Sequence, residues 1–341
     1  MEEETGEQEA EEQETEQQET EEQETEQQET ERQELALQYL WRNYDYCYLK
    51  NMHEKNRCQG ASIVIAGTSH AMNGVVEKEM SAETINFSIS SQDLYYDFLH
   101  IKRAIEEGKQ QIRHCVINIG YYMLQQDVSL SKSLEFMIPA IYEPLFGDVH
   151  NYRGNLMYDM WAGGRKSAQA YPSETLQRFC REFARAYFRK EGSYYGAVKA
   201  REQNSLLPIN GIVWQDMPAI KKEVYAQKRA MDHNRLRKYT ESHKENGQIV
   251  EQIVRYLYGK GIMPIFAVFP FTMYYNRYID RRYKKDIYNL LDSLPLQVEF
   301  LDMNDYLSLF EDEDYLDADH LNLTGAKKAT KLLDQFITTV G

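Results

Sequence analysis

The chain has 341 residues, enough for one large domain or two ordinary ones, and 42% of them are hydrophobic, as in an ordinary globular protein. The formal net charge of −15 is concentrated at one end: residues 1–34 hold seventeen Glu and one Arg, a charge of −16 that leaves +1 for the remainder. The remainder is therefore close to neutral, so neither a nucleic-acid footprint nor an acidic-surface protein follows from the total charge, and no nucleic-acid partner is expected.

The acidic end is a repeat. The decapeptide EEQETEQQET fills residues 11–20 and recurs identically at 21–30, with no apolar side chain to bury. Packing cannot offset the ordering entropy of such a segment, so residues 1–34 are expected to be a disordered tail and residues 35–341 the structured domain. The functional alternative is an acidic arm that binds something basic. No apolar stretch is long enough to span a bilayer, and the first residues are acidic where a secretory signal is basic and then apolar. As written, the chain reads as cytoplasmic. Cys47, Cys58, Cys115 and Cys180 are widely spaced without a CxxC pair, so neither a zinc site nor a disulfide framework is expected, and Cys115 reads as a small core residue.

After the tail, residues 35–56 carry large apolar side chains at helical spacing and predict a packing helix. Residues 62–66 (SIVIA) read as a buried strand that stops at Gly67-Thr68-Ser69-His70. A glycine followed by small polar residues suits a tight strand-to-helix turn. Ser69 is then either a turn or cap residue or a side chain delivered to the ligand crevice at the carboxyl edge of a parallel sheet. Further strands are predicted at 84–88, 113–119, 262–269 and 297–303, and helices at 92–108, 245–259, 281–293 and 325–338. This rhythm predicts an α/β fold with a parallel sheet covered on both faces. Residues 125–240 break it with charged, tyrosine-rich helical stretches such as 173–192 and a loop-like stretch at 204–218. Because the sheet pattern resumes afterwards, they read as a helical insertion forming a wall or lid, with an independent second domain as the alternative.

Near the far end, DYLDADHLNLTGAKKATKLLDQF (314–336) places Asp317 three residues before His320, just ahead of an amphipathic helix. Across a turn that spacing holds a carboxylate beside an imidazole, so Asp317 can fix the tautomer of His320 while the other ring nitrogen takes a proton from a serine hydroxyl. His70 reads as a structural hydrogen-bonding residue and Asp319 as a solvated or capping one. Asn86 and Gln92 either line the crevice or simply end a strand. The 26 tyrosines could stack on sugar rings, or serve as core and interface aromatics.

A serine after the first strand and a C-terminal DxxH, in that order, resemble the SGNH or GDSL-like hydrolases and esterases. The likeness is greatest to a bacterial branch with a GSSH-type first motif, related to proteins that handle acyl groups on cell-envelope polymers. Gly67-Thr68-Ser69-His70 matches the first block, and Asp317 to Asn322 with Gly325-Ala326 the last. NFSISSQDLYY (86–96) resembles the second block and AVFPFTMYY (267–275) the strand end and proline loop of that branch. An α/β-hydrolase elbow, GxSxG, is excluded because Ala71 stands at its fifth position.

The resemblance implies a three-layer α/β/α, flavodoxin-like sandwich with about five parallel strands and a triad of Ser69, Asp317 and His320. Backbone N–H groups near Ser69 and Ser91 would form the oxyanion hole, with Ser88 or Ser91 in the region of the second-block glycine. Tyr121 and Tyr122 follow Gly120 where the third-block asparagine is expected. No metal or diffusible cofactor is implied. The implied substrate is an acylated carbohydrate, envelope polymer or other ester, with a membrane-bound acyl-donor partner by analogy. The implied location is the cell envelope if a natural anchor is missing from this chain. A reading from another class is a non-catalytic SGNH-like protein that binds a glycan or partner in a tyrosine-rich crevice. Because the tail has nothing to bury, deleting residues 1–34 is expected to leave the melting temperature unchanged; a drop of several degrees in a thermal melt shows instead that it packs.

Overall fold

The computed structural model describes residues 44–132, 134–135, 137–154 and 214–340. The acidic tail, the stretch 173–192 and most of 204–218 lie outside them. Runs of β-branched and apolar residues form five strands: β1 (Ile63–Ala66), β2 (Thr84–Asn86), β3 (His114–Asn118), β4 (Met263–Val268) and β5 (Glu299–Asp302). All are parallel, in the order β2-β1-β3-β4-β5, and each lies within the stretch expected from the sequence. β1, β2 and most of β3 and β4 are buried, as a sheet covered on both faces requires. Pro264 is tolerated inside the sheet because the Met263 N–H goes to Arg113 on the β3 side. Position 264 therefore faces the β5 side, where pairing starts only at Ile265.

Helices cover the sheet to give the α/β/α sandwich. With the right-handed crossovers that parallel strands favour, this order carries the connection from β1 to β2 over one face and the later ones over the other. α1 (Tyr44–Cys58), α3 (Leu94–Glu107) and α6 (Thr240–Gly259) pack together on one side, while α2 (Ser69–Gly74) packs on α9 (Leu323–Val340). Between them in sequence lie the short α4 (Glu143–Phe146), α5 (Ala219–Asn234), α7 (Met273–Asn276) and α8 (Arg281–Ser293). Helix starts are set by side chains that accept orphan amides: Asp93 from Tyr96 at α3 and Asp280 from Arg282 at α8. α8 has the expected bounds, and α6 begins five residues before its expected start. From the expected insertion, Ile138, Tyr142, Trp214, Ala226 and Ala230 join the same core as the strands. Cys115 is wholly buried in β3. Among the described residues no helix is long and apolar enough to cross a membrane.

The strand order positions a crevice. β1 has β2 on one side and β3 on the other, so the strand order reverses there, and the carboxyl ends of β1 and β3 mark the place where parallel sheets form ligand crevices.

Between α1 and α3 a buried histidine pair, one from each helix, is held neutral. His53 Nε2 and His100 Nδ1 are 2.9 Å apart, and the ring of Phe87 lies 4.4 Å from that of His53. Burial, reinforced by the Arg103 charge, lowers His53 to about 3, and burial pushes His100 well below its ordinary value. A group whose folded pKa is depressed contributes stability that is complete above its unfolded value of 6.5 and is lost as pH falls below it. Urea unfolding is therefore expected to lose about 2 kcal/mol from His53 alone between pH 6.5 and 5. A His53→Leu/His100→Leu variant should show a shallower slope, and an equal slope in both proteins refutes the assignment.

Candidate active site

β1 ends in a turn that only glycine allows. Gly67 has φ +154°, and a Cβ there would lie 2.4 Å from Cβ of Asn118 at the end of β3. The close approach lets Oδ1 of Asn118 accept from the Thr68 N–H at 3.3 Å and from its hydroxyl at 3.0 Å, while its Nδ2 donates to the Ala267 carbonyl. Thr68 is the N-cap of α2 and accepts from the His70 N–H, which makes Ser69 the first residue of that helix. Ser69 is thus both a helix-start residue and a side chain at the mouth of the crevice.

The DADH segment folds onto itself. Oδ1 of Asp317 accepts from the backbone N–H groups of Asp319 and His320 at 2.9 and 2.8 Å, and the Leu316 N–H donates to the His320 carbonyl. The Thr272 N–H and hydroxyl, beyond β4, both donate to the Ala318 carbonyl. Asn322 then caps α9 by accepting from Thr324 and Gly325. The result is one continuous chain of contacts. The Asp317 carboxylate lies 2.9 and 3.0 Å from Nδ1 of His320, and Nε2 of His320 lies 2.8 Å from Oγ of Ser69. With a carboxylate on Nδ1, that nitrogen carries the proton and Nε2 is left to accept from the serine. All three side chains are nearly buried, with Ser69 and His320 each 9% exposed.

Behind this row stands a second one that spacing did not reveal. Asp319, expected to be solvated or capping, is 1% exposed and accepts from Nε of Arg229 at 3.0 and 3.2 Å. The correction has a physical cause: a carboxylate can be buried here because a guanidinium from α5 meets it. Nε2 of His70 lies 3.3 Å from Asp319, Nδ1 lies 3.3 Å from the Thr68 hydroxyl, and the ring stacks on His320 at 4.9 Å. Burial keeps His70 below its ordinary value and therefore neutral. For His320, burial alone would do the same, but Asp317 and Asp319 outweigh it and hold the imidazole above its ordinary value, with Arg229 pulling the other way. Burial would raise Asp319, yet Arg229 and the neighbouring histidines hold it well below the usual carboxylate range. No sequence pattern marked Arg229, which is 90 residues from its partner.

The second-block region resolves into different roles. Ser88 donates its backbone N–H to Asn86, whereas Ser91 has φ +61°, the left-handed backbone that favours glycine. Asn86 and Gln92 brace the crevice from below: Asn86 donates to the Ala71 carbonyl, and Gln92 donates to Phe87 and to Asp97. Where the asparagine is expected, the Tyr122 ring lies flat on His233 at 3.9 Å, and the Tyr121 hydroxyl donates to Asp302. Tyr48, Tyr96, Tyr142, Tyr275 and Tyr283 are fully buried core aromatics. Among the described residues, His70, Asp319 and His320 come close enough to share an ion, but Asp319 is occupied by Arg229 and Nε2 of His320 faces Ser69. The atoms that would hold it are thus already engaged. A groove of about 680 Å³ lined by Tyr121, Lys284, Tyr288 and Asn304 includes none of the three triad candidates.

No protein-family model and no curated protein matches the chain. Among solved structures, a chain from Streptococcus pneumoniae provisionally described as a platelet activating factor aligns over 85% of this chain and 91% of its own, at 11% identity and a TM-score of 0.41. That likeness carries no chemistry, which rests on the side chains themselves. Their placement begins at Gly67, so Gly67→Ala is expected to cost about 2 kcal/mol or more in denaturant unfolding. Unchanged stability would show that the turn relaxes freely.

Proposed function

We propose that this chain is a serine-dependent ester hydrolase or O-acyltransferase of the SGNH type. The observation that carries the reading is the 2.8 Å contact between Ser69 Oγ and His320 Nε2, with the Asp317 carboxylate 2.9 Å behind on Nδ1. In this reading Ser69 attacks an ester carbonyl as His320 takes its proton. Collapse of the tetrahedral species breaks the ester C–O bond, and His320 returns that proton to the leaving alcohol. Water then resolves the acyl-serine in an esterase, and a sugar hydroxyl does so in an O-acyltransferase. The backbone N–H groups of Ser69 and Ser91 hold the oxyanion, with Ser91 favoured over Ser88 because the Ser88 N–H is already committed. The reaction needs no metal or diffusible cofactor. An acylated carbohydrate or envelope polymer as substrate, a membrane-bound acyl donor as partner and a place at the cell envelope rest on the resemblance of the sequence motifs. Residues 35–341 act in this reading as one domain with an insertion.

One observation favours a second reading. The amide of Asn118 is used between β1, β3 and β4, and Tyr122 stands where a third donor would be. Loss of one oxyanion donor typically costs about 100- to 1000-fold in rate. A non-catalytic glycan- or partner-binding protein fits that deficit.

The two readings separate on a serine-reactive fluorophosphonate and a short-chain aryl acetate. Ser69→Ala is expected to abolish labelling and hydrolysis with the fold intact, and His320→Ala to cost nearly as much, the double variant being hardly worse than either. Asp317→Asn should be the mildest, because the oxygen that already lies 3.0 Å from Nδ1 survives as the amide oxygen. Since His320 is held above its ordinary value, the acidic limb of kcat/KM should have its midpoint above pH 6.5. Hydrolysis that persists in Ser69→Ala refutes the triad. A wild type that neither hydrolyses nor labels favours the binding protein.

A further inference from the structure

The imidazole of His320 has two carboxylates beside its Nδ1, and a general base needs only one. Asp317 makes the direct contact, while Oδ1 of Asp319 stands 3.7 Å away. A carboxylate at that range favours the protonated ring by about one to three pH units, and an imidazole already protonated cannot take a serine proton. A cation beside the second carboxylate would offset that effect.

Among the described residues, the titratable groups that face this cluster are His70 from α2, Tyr225, Arg229 and His233 from α5, Tyr122 beyond β3, and Tyr275 from α7. The tyrosines are held above their ordinary value, and His70 and His233 below theirs, in each case chiefly by burial, so all are neutral near pH 7. Arg229 is thus the permanent cation among them. Its Nε spans both oxygens of Asp319, and its position on α5 is fixed by the buried Ala226, Ala230 and His233 on the same helix.

We propose that Arg229 is a positioning residue that, by pairing with Asp319, offsets the second carboxylate beside His320 and extends toward lower pH the range in which the imidazole can act as a base. Asp319 in turn holds His70, whose ring backs the His320 ring, so the same pair that balances charge also supports the imidazole from behind. The proposal rests on the reading of Ser69 and His320 as nucleophile and base.

The test uses the full chain and two independent readouts: the titration of the His320 ring followed by NMR, and the rate of fluorophosphonate labelling against pH. Arg229→Gln is expected to raise the His320 midpoint and to slow labelling roughly tenfold at pH 6.5, with recovery toward the wild-type rate at pH 9. Arg229→Lys keeps the charge and should stay near wild type. Asp319→Asn should lower the midpoint, and the Arg229→Gln/Asp319→Asn double variant should return it toward the wild-type value. An unchanged midpoint in folded Arg229→Gln overturns the proposal, as does labelling slowed by one factor at every pH. If Arg229→Gln does not fold, a midpoint in Asp319→Asn that fails to fall overturns it equally. A wild type that never labels refutes the nucleophile reading, and the NMR midpoints still decide the role of Arg229.

Discussion

A hydrogen bond of 2.8 Å between Ser69 and His320 joins residues 251 positions apart, and it tolerates an error of only a few tenths of an ångström. No flexible chain holds such a distance by itself. The sheet supplies the rigidity: β1 delivers Ser69 through the Gly67 turn, and the exit of β4, through Thr272, grips the loop that carries His320. Asn118 ties the ends of β1, β3 and β4 together with one amide. The strand ends are thus tied by the same hydrogen bonds that position Ser69 and the His320 loop, so movement at one strand end reaches both side chains.

Asp317 does two jobs with one carboxylate. Its Oδ1 closes the loop by accepting two backbone N–H groups, and both oxygens lie within reach of the imidazole. The loop geometry that buries His320 therefore also orients it. Such economy carries an electrostatic cost, because two acidic side chains and a histidine are packed where water is scarce. Isolated buried charges are expensive and persist when paired, and Arg229 gives Asp319 its partner.

Much of the architecture is legible in the order of residues. Strands such as SIVIA and IMPIFAVF are short apolar runs bounded by turn residues, and burial on both faces leaves them little other choice. The meeting of Ser69, Asp317 and His320 is legible for a different reason: strand ends in a parallel sheet gather at one edge, and three-residue spacing keeps Asp317 beside His320. Asp319 is not legible, because alternation with Asp317 says nothing about what lies opposite. A lone acidic residue in a polar loop looks solvated until a helix from elsewhere covers it. The left-handed backbone of Ser91 is equally hidden, since serine rarely marks such a turn.

By itself the sequence determined the local events: where the strands lie, that the chain turns at Gly67, that a helix follows the DADH segment, and that a carboxylate sits next to an imidazole. These depend on neighbours within a few residues, whose sterics and hydrogen bonds are encoded in the order of side chains. Tertiary structure alone decided the charge balance around His320, the commitment of the Asn118 amide and the packing of Tyr122 against His233. Those depend on which side chains meet across tens of residues or more, as Arg229 meets Asp319 across 90. Electrostatic energy follows distance in space and the dielectric around each charge, neither of which local order specifies.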